Sequence, residues 1–232
     1  MTIKAVLFDM GNTLVNFGDF GSPEEVFQRV LISLGISRSL DDMKKAFLNA
    51  EKEAEGINLL SSMGKIKCEE FWHQWDSLVL KHLRIAEDEE LARMVQSKWS
   101  DFVDSTLYPE VKEVLLELKR RRLKIGLISN AYEEEIHLAL EKVDLEKTTF
   151  DITVGVDTTK KVKPNPDVFK YALKKLDVKA EEAIFVGDNV EVDYKGAENA
   201  GLHALLVDRT EKQKQSDLRT IKNLKEILSQ TN

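Results

Sequence analysis

Six residues whose side chains can do chemistry follow short apolar segments of this sequence. Each lies near the point where a buried strand would end: Asp9, Ser129, Asn130, Lys163, Asp188 and Asp193. Carboxylates are the hard oxygen ligands that Mg²⁺ prefers, whereas a hydroxyl, an ammonium group and the amides of a helix N-terminus bind anions. A cation and an anion site that face one carboxylate indicate phosphoryl transfer, in which Asp9 attacks phosphorus while the metal and Lys163 neutralise charge.

These residues can meet only if the segments before them are neighbouring strands of one sheet. Apolar, partly β-branched runs predict such strands at 3–8, 123–128, 151–156, 183–186 and 204–207. Helical spacing of apolar residues predicts helices between the later strands, including one at 192–200, and a final helix at 218–228. This alternation predicts a doubly wound α/β fold with a parallel sheet covered on both faces. In such a sheet, ligands bind outside the carboxyl ends of the strands.

The stretch from residue 17 to 105 has a different pattern. It contains no strand-like run, and its first helix begins at Ser22-Pro23, where serine can cap and proline suits the first turn. Further helices are predicted at 40–54, 68–83 and 89–103. We therefore predict an all-helical cap domain at 17–105, inserted after the first strand of a core domain formed by 1–16 and 106–232.

Composition excludes several classes of protein. With 42% hydrophobic and 32% charged residues in 232, the chain can bury a core. Its longest apolar runs are far short of the ~20 residues that span a bilayer, so no membrane partner is expected. A formal charge of −7 without a long basic block disfavours a nucleic-acid partner. The single cysteine, Cys68, and an N-terminus without signal-peptide features predict a cytoplasmic location.

The motifs that carry these residues resemble those of the haloacid dehalogenase-like hydrolase superfamily. That family's first motif, a strand followed by Asp-x-Asp-x-Thr, is similar to residues 9–13, and its second, a strand ending in Ser or Thr, is similar to residues 125–129. The third, a lysine followed by Pro-x-Pro, is similar to residues 163–166, and the fourth, Gly-Asp with a later aspartate, is similar to residues 187–193. The helical insertion resembles the subfamily with an α-helical cap.

The resemblance implies a role for each residue. Asp9 would be the nucleophile that forms an aspartyl-phosphate. The phosphoryl group would be bound by Ser129, Lys163 and the backbone amide of Asn130, while Thr13 would steady the nucleophile loop or be a simple turn hydroxyl. The Mg²⁺ ion would be held by Asp9, Asp188 and the backbone carbonyl of Gly11, with Asp193 supporting its waters or Lys163.

One departure from the family's pattern affects the expected activity. The family's second aspartate, the general acid that protonates the leaving oxygen and later activates water, is replaced by Gly11. General acid–base catalysis contributes about 10²–10⁴-fold. Three replacements stay open: a carboxylate from the cap, a bound water, or a substrate with a good leaving group such as an acyl phosphate.

The predicted function is Mg²⁺-dependent hydrolysis of a small phosphorylated metabolite by a phosphoric monoester hydrolase. One alternative is a phosphate-binding or regulatory protein that kept the fold with weakened catalysis. A second is a metal-independent 2-haloacid dehalogenase, a branch that also lacks the second aspartate but generally lacks the Gly-Asp pair seen here at Gly187-Asp188. The identity of the substrate and the oligomeric state are left open by the sequence.

Overall fold

The structure is a computed structural model that describes residues 2–18, 21–85, 89–211 and 217–231. The chain divides into two compact units, which are described separately. The sheet unit comprises Met1–Asn16 and Ser105–Asn232, and the helical unit comprises Phe17–Asp104. Among the described residues, no helix combines the length and the apolar character that a bilayer span requires.

The sheet unit is built on parallel strands. In chain order, the strands of this unit are β1 (Ala5–Phe8), β2 (Val15–Asn16), β3 (Thr106–Leu107), β4 (Lys124–Ile128), β5 (Ile152–Val154), β6 (Ala183–Gly187), β7 (His203–Val207) and β8 (Thr220–Ile221). The main sheet has the spatial order β5-β4-β1-β6-β7-β8, and all its pairings are parallel. The carboxyl ends of these strands therefore lie at one edge of the sheet. The predicted doubly wound α/β fold is confirmed.

Over its described residues, the helical unit contains four α-helices, α1 (Pro23–Ser33), α2 (Leu40–Gly56), α3 (Cys68–His82) and α4 (Glu89–Trp99). The predicted start of α1 is confirmed, because the Ser22 hydroxyl accepts a hydrogen bond from the Glu25 amide while the Glu25 carboxylate accepts one from the Ser22 amide. Apolar residues of α1 to α4 form one core, in which the Phe27 ring meets Phe47 and Trp99 edge-on. This unit thus has a core of its own.

Helices of the sheet unit cover strands whose side chains are buried on both faces. The helices of this unit are α5 (Val111–Arg120), α6 (Glu133–Lys142), α7 (Val156–Thr159), α8 (Pro166–Leu176), α9 (Lys195–Asn199) and α10 (Ile227–Gln230). Of these, α5, α8 and α9 pack directly against strands of the main sheet. Ala5 and Leu7 of β1 pack in a cluster with α8 and α9, whereas Val6 and Phe8 are buried outside that cluster. Period-two alternation between two covered faces explains why β1 is apolar at every position.

Several predicted elements differ from the structure, among them the helix predicted at 89–103, which ends at Trp99. The helix predicted at 218–228 begins only at Leu224, with a single 3-10 turn that leads into α10. Before it, the Arg219 and Ile221 carbonyls accept hydrogen bonds from the amides of Leu206 and Asp208, which adds β8 to the sheet edge. Pairing with β7 is more stable there than a helical start, because a short helix is marginal without tertiary support. The helix predicted at 192–200 begins earlier, with a π-helical turn at Val190–Tyr194. The strand predicted at 151–156 ends at Val154, since α7 begins at Val156.

Candidate active site

The loop that follows β1 is a tight turn at the carboxyl edge of the sheet. The Asp9 amide donates to the Val186 carbonyl of β6 at 2.8 Å, so Asp9 continues the line of β1 at the centre of the sheet, where β1 lies between β4 and β6. The chain then reverses: the Leu14 and Val15 amides both donate to the Met10 carbonyl. Asn12 adopts a left-handed conformation with φ of 53°, which asparagine tolerates better than most residues. We call residues 9–15 the Asp9 loop.

Lys163 lies at the centre of the candidate site. Its side chain is only 2% exposed, and its Nζ lies 2.6 Å from Asp9 Oδ1 and 2.7 Å from Asp193 Oδ1. Burial lowers the pKa of Lys163, but the charges and hydrogen bonds of Asp9 and Asp193 raise it above its ordinary value. The ammonium group is therefore charged and fixed between two carboxylates that come from different segments of the chain.

The position of Asp193 requires a glycine at residue 187. Its Oδ1 accepts from Lys163 and its Oδ2 accepts from the Asn189 amide at 3.1 Å, so both oxygens are engaged. A Cβ at position 187 would lie 2.4 Å from the Cβ and Cγ of Asp193. Glycine at 187 is thus required by the close approach of Asp193, in addition to ending β6 beside Asp188.

Three carboxylates converge next to Lys163. One oxygen each of Asp9, Asp188 and Asp193 lies within 4.8 Å of the others. The pKa of Asp9 is raised to about 6, because burial and the charges of Asp193 and Asp188, which raise it, outweigh Lys163, which lowers it. Burial and the charge of Asp193 also raise the pKa of Asp188. Three carboxylates beside one ammonium leave an excess of negative charge, and hard oxygen donors of this kind suit a divalent cation such as Mg²⁺.

Two polar residues follow β4, the strand that pairs with β1. Ser129 is 8% exposed, and its amide donates to the Val154 carbonyl of β5. The Asn130 side chain forms a reciprocal pair with the backbone of Lys163: its Oδ1 accepts from the Lys163 amide at 2.7 Å and its Nδ2 donates to the Lys163 carbonyl at 3.0 Å. The structure therefore gives the Asn130 side chain a contact with Lys163 that the sequence motif does not predict.

Thr13 contributes through its backbone. Its hydroxyl is buried and has no hydrogen-bond partner within the described ranges. Its carbonyl accepts a hydrogen bond from Arg209 Nη2 at 2.8 Å. The sequence analysis assigned no role to two further residues. The Asn12 Nδ2 donates to Asp188 Oδ2 at 3.3 Å, and the Asn189 Oδ1 caps the π-helical turn. The left-handed preference of asparagine could have marked Asn12, whereas nothing local marks Arg209.

A parallel-sheet fold with charged residues at its carboxyl edge is a common enzyme architecture, and comparison with known proteins identifies the family. Residues 3–201 match the model of the haloacid dehalogenase-like hydrolase family. The chain belongs to this family, and the prediction that it is a hydrolase is confirmed.

Curated relatives and solved structures extend this comparison. Glyceraldehyde 3-phosphate phosphatase of Methanocaldococcus jannaschii is 28% identical over 207 residues, covering 86% of this chain and 82% of that protein. Pyrophosphatase PpaX of Bacillus cereus is 29% identical over 215 residues, covering 90% and 85%.

Two solved structures are similar along nearly their whole length. The HAD phosphatase of Thermococcus onnurineus has a TM-score of 0.66 at 22% identity and covers 98% of this chain and 97% of that chain. The 2-haloacid dehalogenase of Pseudomonas syringae pv. Tomato has a TM-score of 0.73 at 20% identity and covers 100% of both. At this identity, the two structures show the fold alone, and phosphatases and dehalogenases share it.

Proposed function

We propose that this protein is a Mg²⁺-dependent phosphatase of a small phosphorylated metabolite, and that it works through an aspartyl-phosphate on Asp9. The observation that carries the proposal is the Lys163 ammonium group held between Asp9 and Asp193, with Asp188 next to them. A nucleophilic carboxylate, a fixed cation and a set of oxygen donors are the parts that phosphoryl transfer needs.

The residues divide the work as follows. A carboxylate oxygen of Asp9 forms a bond to phosphorus as the bond from phosphorus to the leaving oxygen breaks, and water then hydrolyses the acyl phosphate. Lys163, with Ser129 and the Asn130 amide, binds the phosphoryl oxygens. Asp193 keeps the Lys163 ammonium in place, as its short hydrogen bond to Nζ supports.

Asp9, Asp188 and the Gly11 carbonyl are the proposed ligands of Mg²⁺, and the negative charge gathered around Asp9 supports them. When bound, the ion would neutralise charge on the phosphoryl group and lower the pKa of Asp9. Both oxygens of Asp193 already accept hydrogen bonds, so we assign it to Lys163 and to water molecules of the metal rather than to direct coordination.

The acidic cluster favours a phosphatase over a dehalogenase. Carbon–halogen cleavage creates no phosphoryl charge for a metal to neutralise, so Asp188 would serve no purpose there. Gly11 supplies no general acid, which fits a substrate whose leaving group needs little protonation. The pyrophosphatase named among the relatives is consistent with such a leaving group, since phosphate is a weaker base than an alkoxide.

The helical unit is proposed as the cap domain, with bounds at 17–105, and as the part of the chain that selects the substrate. We also propose that the enzyme is cytoplasmic, on the strength of its single cysteine. Its partner would be a small phosphorylated molecule, and its net charge of −7 argues against nucleic acid.

The test is a comparison of phosphate release and chloride release with and without Mg²⁺. The substrates are p-nitrophenyl phosphate, a panel of sugar phosphates, nucleotides, phosphoglycolate and acyl phosphates, and a 2-haloacid. We expect phosphate release that requires Mg²⁺ and disappears in Asp9→Asn. Metal-independent chloride release would establish the dehalogenase instead. Phosphate binding with turnover no faster than that of Asp9→Asn would establish the binding protein.

A further inference from the structure

Arg209 contacts three residues from two other segments of the sheet unit with one guanidinium group. It lies two residues beyond β7, and its side chain is 15% exposed. Nη2 donates to the Thr13 carbonyl at 2.8 Å, Nη1 donates to Glu110 Oε1 at 2.7 Å, and Cζ lies 3.4 Å from the centroid of the Tyr108 ring. A guanidinium group can use its edge and its face at once, whereas an ammonium group cannot.

Glu110 fixes the orientation of this guanidinium group. Its side chain is 10% exposed, and its Oε1 also accepts from the Leu224 amide at 3.3 Å. Burial raises the pKa of Glu110, but the hydrogen bonds from Arg209 and from backbone amides bring it below its ordinary value. Arg209 and Glu110 thus form a charged, hydrogen-bonded pair, which is stronger and more directional than a bond between neutral groups.

Arg209 and Tyr108 together hold two consecutive carbonyl groups of the Asp9 loop. Arg209 binds the carbonyl of Thr13, and the amide of Tyr108 donates to the carbonyl of Leu14 at 3.2 Å. The Thr13 hydroxyl has no partner in the described part of the chain, so it does not secure the loop. Besides the pairing of β2 with β3, the hydrogen bonds that tie this end of the loop to the rest of the sheet unit thus include those from Arg209 and from the residue on which it stacks.

We propose that Arg209 is a positioning residue, which holds the Asp9 loop so that Asp9 and the Gly11 carbonyl keep their places. The inference rests on the proposed function, in which these two groups are the nucleophile and a metal ligand. Loss of the guanidinium group leaves the Thr13 carbonyl without its partner and loosens this end of the loop. A misplacement of reacting groups by about 1 Å costs about 10²-fold in rate.

The first test is the kinetics of Arg209→Ala and Arg209→Lys with p-nitrophenyl phosphate. We expect kcat to fall by roughly 10- to 100-fold in Arg209→Ala, with KM changed much less, and to recover in part when ethylguanidinium is added. Arg209→Lys should also be slow, because lysine keeps the charge but cannot bind both partners and cover the ring. The control is Arg120→Gln, an arginine 74% exposed and paired with Glu117, which should behave as the wild type.

The second test is hydrogen exchange of the backbone amides, which needs no turnover. Peptides that cover residues 9–16 should exchange faster in both Arg209 variants than in the wild type, while Arg120→Gln changes nothing there. Unchanged exchange in both variants, or kcat within twofold of the wild type, overturns the positioning role. If the wild type itself releases no phosphate, the proposed function fails, and the exchange result still decides the role of Arg209. If Arg209→Ala does not fold, Arg209→Lys gives the result.

Discussion

Replacement of Gly187 by alanine should disrupt the candidate site without changing any charged residue. The added Cβ would lie 2.4 Å from the Cβ and Cγ of Asp193 and 2.5 Å from its Oδ2. Carbon atoms in contact are ordinarily about 3.5–4.0 Å apart, so Asp193 has to move by about 1 Å. Its 2.7 Å hydrogen bond to Lys163 and its 3.1 Å hydrogen bond from the Asn189 amide are then weakened together.

The loss of stability in Gly187→Ala follows from these contacts. Overpacking of a buried site costs about 1–3 kcal/mol, and hydrogen bonds to charged groups contribute about 1.5–3 kcal/mol. If Asp193 moves away, the overpacking is relieved but its hydrogen bonds are weakened. We therefore expect a loss of about 3 kcal/mol in the free energy of unfolding. At about 2–4 °C per kcal/mol, the Tm falls by roughly 6–12 °C.

Gly56→Ala is the matched control. Gly56 is exposed at the end of α2, and a Cβ there meets no atom within 4 Å. Alanine in a helix is favoured over glycine by up to about 1 kcal/mol, so this variant should lose no stability. The assay is urea unfolding followed by circular dichroism, with phosphate release measured beside it. A Gly187→Ala protein as stable and as active as Gly56→Ala would refute the steric reasoning.

Three more predictions concern the charges and the hydrogen bonds of the site. The pKa of Asp9, raised chiefly by burial, is about 6 in the metal-free protein, and Asp9 must be ionised to bind Mg²⁺. Binding of Mg²⁺ should therefore be about tenfold weaker at pH 5 than above pH 7, and at pH 5 it should release a proton. Calorimetry in buffers of different ionisation enthalpy measures both effects, and an affinity independent of pH contradicts this assignment. Asn130→Ala removes two hydrogen bonds from the backbone of Lys163 and should lower kcat for p-nitrophenyl phosphate by about tenfold, whereas an unchanged kcat would mean that Lys163 is held by other contacts. Gly11→Asp should raise turnover of alkyl phosphates more than that of p-nitrophenyl phosphate, because a poor leaving group gains more from a proton donor. Equal or lower rates with both substrates would count against a missing general acid.

The strands could be predicted from the sequence because a central parallel strand has to be apolar on both faces. The runs before Asp9, Ser129 and Asp188 are buried, apart from Lys124 at the start of β4, as expected for β1, β4 and β6. The first part of the segment at 218–228 was misjudged because its apolar spacing also suits a helix. Its true structure depends on pairing with β7, a contact between segments that local spacing does not contain.

The site was predictable at the level of which residues converge, and less so at the level of what each one contacts. Parallel strands bring Asp9, Lys163 and Asp193 to one edge, so their meeting follows from topology. The reciprocal bonds of Asn130 with Lys163, and the bond of Arg209 to the Asp9 loop, join residues that are distant in the chain. Such contacts depend on side-chain geometry, and no motif marks them.

The most direct test of the account is to trap the phosphoryl group on Asp9. Wild-type enzyme is mixed with Mg²⁺ and p-nitrophenyl phosphate, quenched in acid during turnover, and digested for peptide mass spectrometry, with Asp9→Asn treated in the same way. We predict one added phosphoryl group on the peptide that contains Asp9, present in the wild type and absent from the variant. Turnover by the wild type without phosphorylation of Asp9, or undiminished turnover by Asp9→Asn, would contradict the central claim.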